Sequence, residues 1–340
     1  MRKFILPASF LGMLYVASAC LESSVQEPAN SAAYSSARGA RTGAMHRTCA
    51  SHAIYVAKLQ RDPALRERIL RMEARVQADT DEENQSVGAK SNPYQGTITI
   101  PVIVNVLYSN PSENVSDAQI ASQIAVLNQD FNRRNPDVTL TPSLFKGRVG
   151  DMQMNFVLAG VNRKASNQAV WQADDSMKFS ALGGIDVTQP DKYLNMWVCR
   201  IEDSGYELLG YAQFPGFPPE TDGVVINPRS FGTIGQLYPE YNKGRTATHE
   251  IGHWLSLQHI WGDGPCGVDD YVRDTPDSDS PNFGCPAYPT KACGGTLMTM
   301  NFMDYSDDPC MYMFSRGQVT RSRWMFSSPY GPRQSFVASM

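Results

Sequence analysis

The run Thr248-His249-Glu250-Ile251-Gly252-His253-Trp254-Leu255-Ser256-Leu257-Gln258-His259-Ile260-Trp261-Gly262-Asp263 organises this chain. The protein has five histidines, and three of them, His249, His253 and His259, fall here. Positions i and i+4 of an α-helix share a face, so His249 and His253 can aim two imidazoles at one spot, with Glu250 beside the first. His259 would complete a three-ligand site. Catalytic zinc uses such a set and keeps a fourth position for water. The ion lowers the pKa of that water, and a nearby carboxylate can take its proton. A bare H-E-x-x-H also occurs by chance as two surface histidines and a solvated Glu. The third histidine, six residues on, argues against that reading.

Length and composition bound the rest. The chain has 340 residues, 42% hydrophobic and 19% charged, which is ordinary for a globular protein of one large or two small domains. A net charge of −4 gives nucleic-acid binding no support. No later apolar run is long enough for a transmembrane span. The start, M-R-K-F-I-L-P-A-S-F-L-G-M-L-Y-V-A-S-A-C, has a basic head, an apolar stretch and small residues at Ala17 and Ala19, and reads as a signal peptide over residues 1–19. Plain secretion is the first reading, and a lipid anchor at Cys20 on the cell surface the alternative. Either places the mature protein in an oxidising compartment. Four of the seven cysteines, Cys266, Cys285, Cys293 and Cys310, cluster after the histidine run, and four allow three pairings. Cys199, in an apolar run, reads as a buried free thiol.

In chain order, residues 21–45 are rich in Ser, Ala and Gly and read as a linker. Asp62 suits an N-cap and Pro63 the first position of a helix continuing A-L-R-E-R-I-L-R-M-E-A-R-V. Residues 76–96 are polar and acidic and read as a second linker. Residues 20–90 are thus a propeptide and linker, and residues 91–340 the catalytic domain. T-I-T-I-P-V-I-V-N-V-L-Y from Thr97 is a strand. Ser116 and Gln119 make a capping box for a helix burying Ile120, Ile124, Leu127 and Phe131. Strands follow around Met152–Leu158, Tyr193–Ile201, Leu209–Phe214 and Val224–Asn227. The histidine helix spans Arg245 to Leu257, and after loop-rich chain a last helix runs from Ser315 to Phe326. The order gives an α+β domain split by a cleft.

Met303, 44 residues past His259 in N-F-M-D-Y, would floor the histidines, although Met is also a common core filler. Tyr305 could offer its phenol to an oxyanion, or be merely structural. With these residues the chain resembles a metzincin metallopeptidase of the pappalysin family, especially its small bacterial and archaeal members. The likeness rests on H-E-I-G-H-W-L-S-L-Q-H-I-W-G-D, D-D-Y-V-R-D-T-P and N-F-M-D-Y-S-D-D-P-C-M-Y-M-F-S-R-G-Q, and extends from about Thr97 to Phe326. The metzincin pattern has glycine where this chain has Ser256, at a turn that requires positive φ.

The resemblance implies an upper subdomain of twisted mixed sheet and helices, an active-site cleft, and an irregular, disulfide-held lower subdomain. It implies a zinc endopeptidase acting on protein or peptide substrates, with zinc on His249, His253 and His259, Glu250 and Tyr305 as catalytic groups and Met303 in the Met-turn. It implies disulfides Cys266–Cys293 and Cys285–Cys310. It implies structural calcium held by Asp270, Thr275 and a carbonyl of Val272 or Arg273, against the reading of an acidic surface loop. It implies cleavage before Arg or Lys through an acidic pocket, with Asp307 and Asp308 at the matching place. Cys49, the odd cysteine in R-T-C-A-S, is a candidate latency switch that would place a thiolate on the zinc. The alternatives are an inconsequential thiol or a partner for Cys20, and related zymogens also block with an Asp. A non-catalytic binding module on the same fold is the rival function, and a zinc amidohydrolase a further one. Both Glu250 and the ligands are present, which favours the enzyme.

Overall fold

The computed structural model describes residues 46–85, 95–327 and 329–337. The signal peptide, Cys20 and the linker over 21–45 lie outside these residues. Two helices come first. Helix α1 (Ser51–Arg61) ends at Asp62, which is extended because a following proline disfavours helical backbone. Pro63 then opens α2 (Pro63–Gln85), and the Asp62 carboxylate accepts from Leu65 N at 3.0 Å, as an N-cap does.

Five strands form the main sheet: β1 (Ile98–Tyr108), β2 (Met154–Ala165), β4 (Leu194–Val198), β7 (Gly210–Ala212) and β8 (Val224–Ile226). Their order is β2-β1-β4-β8-β7, parallel throughout except for the antiparallel edge strand β7. A smaller three-stranded sheet joins β3 (Trp171–Gln172), β5 (Ile201–Asp203) and β6 (Tyr206–Leu208). Alternation sorts the main strands' side chains. Val102, Val104, Met196, Val198, Val224, Ile226 and Ala212 face the principal core. Trp197, Tyr211 and Val225 face a second cluster with Trp171 and Met177. Burial on both faces explains the nearly continuous apolar run of β1.

Helix α3 (Asp117–Asp130) buries Ile120 and Leu127, and its C-cap Phe131 is buried with them, as the spacing predicts, while Ile124 is only partly buried. Only half of the capping box forms. Ser116 Oγ accepts from Gln119 N, but the Gln119 amide donates to the carbonyls of Pro228 and Phe231. After the one-turn helix α4 (Ser143–Lys146) comes α5 (Arg245–Trp254), the histidine helix, with every residue buried. Residues 255–315 carry little regular structure beyond two two-residue strands and are crossed by both disulfides. Helix α6 (Arg316–Trp324) closes the domain with a complete Ser315/Gln318 capping box. The architecture is α+β, with the sheet and helices first and the stapled loops below.

Two expectations are corrected. Residues 76–85 are the last turns of α2, not linker. Nor do residues 46–80 stand apart from the core, because Cys49 and Val76 are members of its principal cluster. Besides Val76, polar contacts hold the end of α2, and apolar periodicity does not reveal them. Trp324 Nε1 donates to Asp79 at 2.9 Å. Arg321, 1% exposed, donates to both oxygens of Glu73 at 2.7 and 2.6 Å. Removing one partner of a buried ion pair leaves an uncompensated charge. Glu73→Ala is therefore predicted to destabilise the full chain by about 3 kcal/mol in urea unfolding. A change below about 0.5 kcal/mol, the range of an ordinary surface substitution, would contradict the docking of α2.

Candidate active site

Helix α5 starts where Asp308 Oδ2 accepts from the backbone N–H groups of Lys243 (2.8 Å) and Arg245 (3.2 Å). It stops at Trp254, three residues earlier than its apolar pattern implies. Ser256 adopts φ +75°, Ser256 N donates to His253 O and Leu257 N donates to Gly252 O. That is a Schellman C-cap with serine in the left-handed position usually given to glycine. Arg321 holds the strained residue, donating from Nε to Ser256 O at 2.8 Å and from Nη2 to Ser256 Oγ at 3.2 Å. The turn sends the chain back so that His259 meets the helix.

Each imidazole is oriented through Nδ1. His249 Nδ1 lies 2.7 Å from Phe302 O, His253 Nδ1 2.7 Å from Leu257 O, and His259 Nδ1 2.7 Å from Asp263 Oδ1. All three partners accept, so all three Nδ1 atoms carry the proton and the Nε2 lone pairs face inward. His253 and His259 Nε2 are 3.1 Å apart, and His249 Nε2 is buried without a hydrogen-bond partner. Three Nε2 atoms converging in one buried site suit a bound cation. Burial, then the neighbouring imidazoles, holds the pKa values of His249 and His253 well below the usual range, which keeps them neutral as ligands must be. Cys49 Sγ completes the group, since all four ligand atoms lie within 4.8 Å of one another. The donor set of three imidazoles and one thiol fits zinc.

Glu250 is 1% exposed, and burial pushes its pKa up to about 7. Its Oε2 accepts from Ser51 Oγ at 2.8 Å and faces Cys49 Sγ at 3.3 Å. Met303 packs beneath α5 so tightly that a Cβ on Gly252 would overlap its sulfur. Tyr305 O–H donates to Cys49 O at 3.3 Å, and its ring centroid is 4.9 Å from that of His259.

Of the two pocket candidates, Asp308 is buried and Asp307 half-buried. Asp308 Oδ1 accepts from Arg47 Nη2 at 2.6 Å. The same guanidinium donates to Ser306 O and Thr246 Oγ1 and lies 5.1 Å from the Tyr241 ring centroid. In the loop after the histidines, Asp270 accepts from Val272 N and Thr275 Oγ1, and Thr275 Oγ1 also reaches Val272 O at 2.6 Å. Asp270, Thr275 and the Val272 carbonyl are therefore together, whereas Arg273 is exposed. Cys266 pairs with Cys293 and Cys285 with Cys310. Cys199 is a buried free thiol.

Several residues of the site escaped the reading of the sequence. Asp263 orients His259, and its i+4 spacing was the available signal. Burial raises its carboxyl pKa, but His259 and His52 outweigh that and hold it well below the usual range. His52 Nδ1 lies 3.0 Å from Asp263 Oδ2, off hydrogen-bond alignment. Arg47, Ser51 and Arg321 had no sequence signal, because their partners are distant in the chain.

The comparisons with known proteins agree with this geometry. Residues 185–326 match the peptidase M43 model, pregnancy-associated plasma protein-A. An extracellular metalloprotease of Arthroderma otae is 32% identical over 233 residues, covering 66% of this chain and 76% of the relative. Extracellular metalloprotease 1 of Coccidioides posadasii is 32% identical over 252 residues, covering 68% and 78%. The chain belongs to the pappalysin family. Among solved structures this pappalysin resembles mature mirolysin of Tannerella forsythia in complex with a cleaved peptide, with 45% identity, TM-score 0.69, and coverage of 72% of this chain and 96% of that one. A promirolysin mutant from the same organism gives 41% identity and TM-score 0.76, covering 85% and 97%. This pappalysin is a metalloendopeptidase, and its family implies a catalytic zinc on the three-histidine cluster.

Two variants test the floor of the site. Gly252→Ala is predicted to cost about 1–3 kcal/mol through overlap with Met303 and to speed zinc loss to a chelator. Adding Met303→Ala should recover part of both effects. Additive losses in the double variant would contradict the close approach.

Proposed function

We propose that this chain is a secreted zinc endopeptidase made as a zymogen, that it cuts before Arg, and before Lys more weakly, and that residues 46–85 belong to its inhibitory pro-segment within a presequence of residues 1–90. Secretion is supported by the leader-like start and by relatives described as extracellular metalloproteases. No helix of the described residues is long and apolar enough to cross a membrane.

The observation carrying the specificity is the seat of Arg47. A carboxylate, a carbonyl, a hydroxyl and an aromatic ring surround its guanidinium, and a substrate arginine would present the same group. Asp308 is the better candidate for the base of the pocket, because its charge already meets a guanidinium there.

Latency is supported by four simultaneous contacts. Cys49 Sγ joins the histidine cluster, Ser51 Oγ covers the Glu250 carboxylate, Arg47 fills the acidic pocket, and residues 48–50 pair in parallel with β7. Leu209 N donates to Thr48 O, Ala50 N to Gly210 O, and Ala212 N to Ser51 Oγ. The segment thus occupies ligand position, base, pocket and edge strand while presenting a thiol rather than a peptide carbonyl. The promirolysin match covers more of this chain than the mature one, which also favours a shared pro-segment.

With the segment gone, His249, His253 and His259 would hold zinc, which would supply a Lewis acid and an acidified water. Glu250, beside the three histidines, would take a proton from the attacking water and return it to the leaving amine. Tyr305, freed from Cys49 O, would donate its hydrogen bond to the oxygen of the substrate carbonyl under attack. β7 orients the peptide by backbone pairing. A second metal is proposed at Asp270, Thr275 and the Val272 carbonyl, where oxygen ligands suit calcium.

Two tests follow. A peptide with Arg after the cut should exceed its citrulline isostere in kcat/KM by about 10–100-fold, the worth of a charge-assisted hydrogen bond. Equal rates would remove the acidic pocket. Cys49→Ser should give activity before processing, abolished by a chelator; unchanged latency would overturn the thiol switch.

A further inference from the structure

Besides the principal core, the molecule has an apolar cluster with an unusual membership. Leu59, Leu65 and Ile69 pack with Phe214 and Phe217, flanked by Tyr55 and Met72. Every member except the two phenylalanines comes from α1 or α2. The Tyr55 ring centroid lies 4.8 Å from that of Phe214 and 5.5 Å from that of Phe217. Phe214 also adjoins the metal site, 5.2 Å from the His253 ring.

Beside this cluster Lys58 Nζ lies 5.8 Å from the Phe217 centroid and 2.6 Å from Asp175 Oδ2. The two Asp175 oxygens differ. Oδ1 takes Lys178 Nζ at 2.7 Å and Tyr211 O–H at 3.1 Å, both from the catalytic domain. Oδ2 receives its hydrogen bond from Lys58, a pro-segment residue. When α1 leaves, Lys178 and Tyr211 keep the carboxylate in place, and one oriented oxygen is released next to two uncovered aromatic rings.

We infer that Phe214, Phe217 and Asp175 form a second recognition site, for the part of a substrate that precedes the scissile bond, selecting apolar side chains near the cut and a cationic one farther back. The inference rests on the protease reading above. Its direction follows from the pro-segment. Arg47 marks the side of the metal that takes the residue after the cut, and residues 51–58 lie on the opposite side of Cys49. A substrate with Arg over Asp308 therefore lays its preceding residues where α1 now sits. Its register follows from geometry. Ser51, against Glu250, and Lys58 are seven helical residues apart, roughly 10 Å along the axis. An extended peptide spans that in about three residues. The cation belongs at the third or fourth residue before the cut. Lysine or arginine suits it, because the stem can lie along Phe217 while the charge reaches Asp175.

The test uses the full chain after it has matured, and peptides with Arg fixed after the cut and Phe before it. Lys, Ala or Glu is placed at the third or fourth preceding position. Lys is predicted to exceed Ala by about tenfold in kcat/KM, mainly through KM, and Glu to fall below Ala. Asp175→Asn should bring the Lys-to-Ala ratio close to one. The wild-type series stands alone if burial of Lys178 without its counter-ion unfolds that variant. Equal rates for Lys, Ala and Glu, with the dependence on Arg intact, would overturn this site and leave the Asp308 pocket standing. A Lys preference that persists when Arg is replaced by citrulline would support this site even where the pocket reading fails.

Discussion

Three imidazole nitrogens with inward lone pairs, inside a site without water access, are the constraint on which this structure depends. A cation at the centre would satisfy all three nitrogens at once. The arrangement is maintained by three acceptors, Phe302 O, Leu257 O and Asp263, which fix the tautomers. Each comes from a different part of the fold: the Met-turn, the C-cap of the histidine helix and the loop after the third histidine. The helix end, the left-handed serine, the close Met303 and the disulfide-held loops all serve that convergence. Arg321 extends the dependence, tying the Ser256 turn to the last helix and to Glu73.

On the proposed reading, residues 46–85 are a cast of the cleft. It is held at many points, each with its own chemistry: thiol at the metal cluster, hydroxyl at the carboxylate, guanidinium at Asp308, apolar side chains at Phe214 and Phe217, ammonium at Asp175. No single contact need be strong. Binding at several linked sites raises the local concentration of each group. What covers each part of the cleft describes what that part is built to hold.

Legibility in the sequence followed the range of the signal. The histidine cluster is local, so spacing alone placed His249, His253 and Glu250. Strands such as β1 and the last helix from Ser315 are likewise local. Ser256, a departure from the glycine of the metzincin pattern, is compatible with the turn because Arg321 holds it, and that arginine lies 65 residues away. Arg47 and Asp308 are 261 residues apart, so neither announces the other. The tail of α2 was misread as linker because beyond Val76 its anchor is the polar Asp79, and Gln119 was misread as capping its own helix because the carbonyls of Pro228 and Phe231 compete for its amide. The disulfide pairing came from family likeness, since four cysteines leave three choices open.

Zinc K-edge absorption of the full chain tests the central claim most directly. One ion per chain with three nitrogens at about 2.0–2.1 Å and one sulfur at about 2.3 Å is the predicted shell, the sulfur disappearing on maturation. Substoichiometric zinc, or a shell of nitrogen and oxygen only in the unprocessed chain, would contradict it.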